Sequence, residues 1–118
     1  MLRGASTVDL IDEKYFNAVT GLSGSGLAFV YLFVEALSDG GVLAGLPRDK
    51  ALLYAAQTVF GSSSIVLETG RHPGELKDMV TSPGGTTIEG IAALEAGGFR
   101  SSIIVAVKAA WRRAEELV

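Results

Sequence analysis

Between Leu27 and Leu37 the apolar side chains do not keep to one face. Ala28, Phe29, Val30, Tyr31, Leu32, Phe33, Val34, Ala36 and Leu37 occupy every side of a helical wheel, and Glu35 is the single charge among them. The lack of alternation and the length through Ser38 favour helix over buried strand. A helix that is apolar all round is enclosed by neighbours. This element is therefore expected at the centre of a subunit contact, stopping near Gly40-Gly41.

The flanking segments carry narrower patterns. Asp12 and Glu13 favour a helix start by their charge, leading a first helix through Tyr15, Phe16, Ala18 and Val19 that the glycines from Gly21 onward should end. Ahead of it, Ser6 to Leu10 reads as a short extended piece. Gly45-Leu46-Pro47-Arg48-Asp49 predicts a turn and a new helix start, Pro47 being tolerated in a first turn. The long helix that follows repeats Leu52, Ala55, Ala56, Val59 and Phe60 at helical spacing, then Ile65, Val66 and Leu67 beyond the small-residue patch Gly61-Ser62-Ser63-Ser64. Gly70-Arg71-His72-Pro73-Gly74 breaks it, and a short helical piece from Glu75 to Val80 follows.

A helix over Thr86 to Ala96 places Ile88, Ile91, Ala92 and Leu94 inward and ends at Gly97-Gly98. The last helix aligns Ile103, Val107, Ala110, Ala114 and Leu117 on one side. With no strand-rich region and no repeat, the fold class is all-α, a helical bundle of about five or six helices with short connections.

A chain of 118 residues suffices for one domain with a real core and is too short for two ordinary ones. A net charge of −3 with scattered Lys and Arg gives no basic face for nucleic acid. Arg112-Arg113 is followed by Glu115-Glu116, a solvated surface of opposite charges. Without cysteine there is no disulfide or thiol chemistry, which is compatible with a cytoplasmic location. His72 alone supplies no zinc ligand set, so no metal is expected. Met1 onward shows no basic-then-apolar pattern, so no secretion signal is expected. The longest apolar run, Leu27 to Val34, meets Glu35 well short of a membrane span, and a soluble protein is expected.

Hydropathy changes that picture. A mean of +0.38 with 48% hydrophobic residues exceeds what so small an interior can hide. Either a partner covers the surplus, most simply a second copy in a homodimer, or an Ala-rich helical core inflates the index.

The chemistry of the chain concentrates in Thr81-Ser82-Pro83-Gly84-Gly85-Thr86-Thr87. Pro83 suits a first helical position, Ser82 can cap, and Gly84-Gly85 let several amides face one point. With the positive end of the following helix and the hydroxyls of Thr86 and Thr87, this stretch reads as a seat for a carboxylate or phosphate. The alternative is a tight turn with an ordinary cap. Gly21-Leu22-Ser23-Gly24-Ser25-Gly26 offers less. It follows a helix rather than a strand, with Phe29 where a dinucleotide fingerprint needs its third glycine. As a nucleophile elbow it has no placed histidine partner. It reads as a tight junction that another backbone or a ligand can approach closely.

Several motifs in one order add to this: Ala18 to Gly26, Gly45-Leu46-Pro47-Arg48, His72-Pro73-Gly74, Leu76-Lys77-Asp78, Ser82-Pro83-Gly84-Gly85-Thr86-Thr87-Ile88 and Gly98-Phe99-Arg100. Together they resemble the C-terminal domain of pyrroline-5-carboxylate reductase, over roughly Asp12 to Leu117. The resemblance implies reduction of 1-pyrroline-5-carboxylate to L-proline with NADPH or NADH. It implies a helical domain of the 6-phosphogluconate-dehydrogenase C-terminal type, interlocked with its twin in a homodimer that is often assembled further into a ring. Residues 1–11 would then end a linker or an absent Rossmann domain, with 12–118 the dimerisation and substrate-binding domain.

By position, Ser82, Gly84, Gly85 and Thr86 match the loop that holds the substrate carboxylate, and Thr87 matches the threonine beside the ring nitrogen, the catalytic candidate. Val80 and Lys77 match residues close to that loop, and Thr20 a residue near the nicotinamide end. Leu27 departs from the family's usual proline. The 118 residues hold no Rossmann unit, so by themselves they are expected to be inactive and to bind no NAD(P)H. A non-catalytic helical dimerisation module, or partner of a separate reductase subunit, is the competing reading.

Overall fold

The computed structural model describes residues 10–118, so the extended piece expected over Ser6 to Leu10 lies outside them except for Leu10. The described residues contain helices and no strand, in agreement with the all-α expectation. They fall into two compact units, residues 27–76 and residues 10–26 with 77–118.

The unit over residues 27–76 is built on α2 (Gly26–Leu43) and α3 (Arg48–Thr69). α2 does not stop at Gly40-Gly41. Neither glycine has a positive φ, and the turn comes after Leu43, where Gly45 at φ 105 takes the left-handed conformation. Leu46 N–H donates to the Gly41 carbonyl at 3.0 Å and Gly45 N–H to that of Val42 at 2.9 Å, the paired bonds of a Schellman ending. Gly41 serves packing instead: a Cβ there would stand 3.0 Å from the Ala51 Cβ. Ala51 and Ala55, one turn apart on α3, are the buried apolar residues among those described. Arg48, first in α3, donates to the Ser38 hydroxyl at 2.9 Å and to Asp39 Oδ1 at 2.7 Å, so Ser38, 1% exposed, is buried with its hydrogen bond made.

α3 ends as its sequence predicts, with Gly70 left-handed at φ 65 and its N–H on the Val66 carbonyl. α4 (Pro73–Met79) follows, Pro73 opening it. Its cap is His72, whose Nδ1 accepts the Gly74 N–H at 3.0 Å while its carbonyl accepts the Glu75 N–H at 3.0 Å. A histidine in that role carries no sequence signature.

The other unit begins with a 3-10 turn (Glu13–Tyr15) and α1 (Phe16–Val19). The glycines then fail to end the helix. Thr20–Gly24 forms a π turn, Ser25 N–H donating to the Thr20 carbonyl at 2.8 Å, and Ser25 itself stays right-handed at φ −70 on the way into α2. The reason lies in α6 (Phe99–Glu116), which packs on this turn. A Cβ on Gly21 would meet the Trp111 backbone nitrogen at 2.8 Å and the Val107 carbonyl oxygen at 3.0 Å. The expected close approach of another backbone is there, but at an unbroken helix rather than a junction.

This continuity lengthens the apolar segment. Glu13–Leu43 is a helix of 31 residues, longer and more continuously apolar than the Leu27 to Val34 run alone indicates, and by length and composition it would reach across a bilayer, as the core helix of a soluble protein also can.

α5 (Thr86–Ala96) and α6 meet at Gly97-Gly98, with Gly98 at φ 75 and its N–H on the Glu95 carbonyl at 3.1 Å. Of the α5 residues expected inward, Ile91 is half-buried, whereas Ile88, Ala92 and Leu94 are exposed. On α6 the covered side is Val107, Ala110 and Ala114 with Ala106 and Trp111, while Ile103 and Leu117 are exposed. Arg113 pairs with Glu116 at 2.9 Å, and Arg112 lies over the Trp111 ring at 4.8 Å.

Candidate functional site

Chain direction into the candidate stretch is set at the end of α4. Lys77 carbonyl accepts the Val80 N–H at 3.2 Å and the Thr81 hydroxyl at 2.5 Å, and Asp78 carbonyl accepts the Thr81 N–H at 3.2 Å. These bonds satisfy carbonyls that a helix end otherwise leaves open. Lys77 Nζ is held by Asp78 Oδ1 at 2.8 Å, so its charge is locally balanced. Val80 is 71% exposed.

The next residues do not open α5 as the sequence suggested. Pro83 is not the first residue of the helix, and Ser82 caps nothing. Instead Ser82 to Gly85 forms a turn closed by Gly85 N–H on the Ser82 carbonyl at 3.3 Å, with Gly84 at φ 69. Proline second and a positive-φ glycine third is the sequence of a type II turn. That turn needs glycine at 84, because a side chain there would be strained. Gly85 is the residue before α5, at φ −87 and ψ −173, with no side-chain cap.

An uncapped terminus leaves donors available. Thr86 and Thr87 contribute first-turn N–H groups that have no carbonyl within their helix, and the Gly84 N–H bonds no backbone carbonyl of the described residues. Ser82, Gly84, Thr86 and Thr87 are exposed and Gly85 half-buried. The Ser82 hydroxyl lies against Gly85, 2.5 Å from where a Cβ would be. Amides, hydroxyls and the positive end of an eleven-residue helix thus share one short exposed turn, chemistry suited to an anion.

Thr20 stands apart in hydrogen-bonding terms. Its hydroxyl donates to the Phe16 carbonyl at 3.0 Å, within its own helix, and no hydrogen bond links it to residues 82–87. The groove of about 460 Å³ between Tyr31, Glu35 and Asp39 of α2 and Arg48 and Leu52 of α3 contains none of the candidate residues. Sequence reasoning placed Thr81 at the head of the candidate stretch without a role, because its side chain makes a common backbone bond that only its position distinguishes.

Comparison with known proteins gives a consistent result. The family described as pyrroline-5-carboxylate reductase dimerisation matches residues 13–117. A Glycine max pyrroline-5-carboxylate reductase is 65% identical over 106 residues, covering 90% of this chain and 39% of that protein. The chain thus spans about two-fifths of the length of the curated relatives it matches. Among solved structures, a Plasmodium falciparum pyrroline carboxylate reductase with NADP bound superposes with TM-score 0.86 at 39% identity, over 90% of this chain and 43% of that one. A Streptococcus pyogenes 1-pyrroline-5-carboxylate reductase gives TM-score 0.88 at 40% identity, over 94% and 42%.

Proposed function

The chain belongs to the pyrroline-5-carboxylate reductase dimerisation family, and on that premise we propose that it is the dimer-forming, substrate-holding part of a reductase. The reductase converts 1-pyrroline-5-carboxylate to L-proline with NADPH or NADH, in proline biosynthesis in the cytoplasm. The observation that carries this reading is the uncapped α5 terminus behind the Ser82–Gly85 turn.

In this reading Ser82, Gly84, Gly85 and Thr86 hold the substrate carboxylate, matching its charge with fixed donors that need no rearrangement when the ligand arrives. Thr87 sets its hydroxyl against the ring nitrogen and orients the imine, while Val80 and Lys77 border the turn. Thr20 flanks the nicotinamide end.

The cofactor supplies the hydride, and these residues do not fit its phosphates. The glycine run at 21–26 is right-handed helix, follows α1 rather than a strand, and has Gly21 closed off by the α6 backbone. We assign cofactor binding to a nucleotide-binding domain in the further length that the relatives possess, with residues 1–11 as its linker and 12–118 as the present domain.

The apolar length of Glu13–Leu43 goes to a homodimer contact rather than to lipid. Within it Tyr31 and Leu32 are 69% and 64% exposed, surface that an obligate interface would cover. Further assembly into a ring of dimers uses the remaining apolar surface.

A chimera tests the reading: the nucleotide-binding portion of a reductase relative joined ahead of residue 12. It should oxidise NADPH with 1-pyrroline-5-carboxylate, while the 118-residue chain alone should be a dimer in light scattering and leave NADPH unchanged. A chimera that is dimeric and holds NADPH yet reduces no imine would favour the non-catalytic module instead.

A further inference from the structure

Among the described residues, the hydroxyls of Thr20, Ser23, Thr58, Ser64, Thr69 and Thr81 donate to the carbonyl of the residue four earlier. The first five lie within helical segments and their bonds are exposed. Thr81 differs in both respects, since its bond is part-buried and Thr81 stands beyond Met79, the last residue of α4. There the Thr81 hydroxyl and the Val80 N–H share the Lys77 carbonyl, and the Thr81 N–H takes that of Asp78. The very next residue, Ser82, supplies the carbonyl that closes the candidate turn.

We propose that Thr81 is a positioning residue: its hydroxyl bond to Lys77 fixes the direction in which the chain leaves α4 and so aims the Ser82–Gly85 turn and the open amides of Thr86 and Thr87 at the ligand's carboxylate. This rests on the reading of that turn as the carboxylate seat. The clamp touches no ligand itself. Its effect is on how tightly the acidic group is held rather than on the reacting bond.

Thr81→Val keeps the shape and removes the hydroxyl; Thr81→Ser keeps the hydroxyl and removes a methyl group. In the chimera, T81V should raise KM for 1-pyrroline-5-carboxylate about tenfold with kcat within about twofold, the loss of one aligned hydrogen-bonded group, and T81S should restore the wild-type KM. In the 118-residue chain, hydrogen exchange at the bonded amides of Val80 and Gly85 should quicken in T81V and return to the wild-type rate in T81S, with unchanged melting temperatures. Wild-type KM and exchange in T81V would overturn the proposal, as would T81S being as impaired as T81V. A wild-type chimera without imine turnover would remove the carboxylate reading alone. Exchange then decides: quickened amides in T81V sustain the clamp, and unaltered ones overturn it.

Discussion

Ser82 and Gly85 occupy each other's space: the Ser82 Oγ lies 2.5 Å from the position a Cβ on Gly85 would take. The turn takes its shape from Gly84 at φ 69, and the Ser82 hydroxyl has its place because residue 85 has no side chain.

Gly85→Ala follows from that contact. The backbone at φ −87 accepts alanine, and the obstacle is the end of a small side chain that can rotate away. Folding stability should therefore change by less than about 1 kcal/mol, while the displaced hydroxyl should raise KM for the imine about tenfold in the chimera. Urea unfolding and steady-state kinetics on the same variant separate the two effects. A large loss of stability with KM intact would contradict the role given to Ser82.

Thr87→Ala removes an exposed hydroxyl near the start of α5 and no core volume. Stability should stay within about 0.5 kcal/mol, and kcat/KM should fall about tenfold or more on the proposal that the lost group acts at the reacting ring. Unchanged turnover would reject Thr87 as the catalytic threonine.

Gly21→Ala meets backbone rather than a movable side chain, at 2.8 Å from the Trp111 nitrogen. α6 must shift, at a cost of about 2–3 kcal/mol. Gly24, in the same π turn, has the Thr20 methyl at 3.8 Å as its nearest neighbour, an ordinary contact. Gly24→Ala should therefore unfold at nearly the wild-type urea concentration, and a similar midpoint for both variants would show that the packing of α6 on Gly21 does not matter.

Leu32→Glu places a charge on the exposed apolar surface of α2. If that surface is the subunit contact, the dimer dissociation constant should rise about 30-fold or more, equivalent to at least about 2 kcal/mol. Light scattering across a dilution series reads it directly, and a dimer indifferent to the charge would move the contact elsewhere.

Local chemistry sufficed for much of the architecture. Asp12 and Glu13 at a helix start and left-handed Gly70 and Gly98 at helix ends all act through their own backbone or their nearest neighbours, whereas Pro73, read as part of a breaker, opens α4 two residues before the expected start at Glu75. Short-range rules of that kind are written into the order of residues. The excess of apolar side chains was likewise apparent from composition, and it corresponds to a chain in which Ala51 and Ala55 are the buried apolar residues among those described.

Where a glycine leads was another matter, because it depends on what packs beside it. Gly21 and Gly41 read as helix breakers, yet both stay helical, since the vacancy at each admits a neighbour, the α6 backbone at one and Ala51 at the other. Gly84 and Gly85 read as the turn of a capped helix, and the fold made them a closed turn with the helix end left open. Sequence alone specified which positions lacked a side chain. Tertiary packing decided which of those vacancies became a bend and which became a contact, because the free energy of a helix segment with glycine in it is small enough for one well-placed neighbour to reverse.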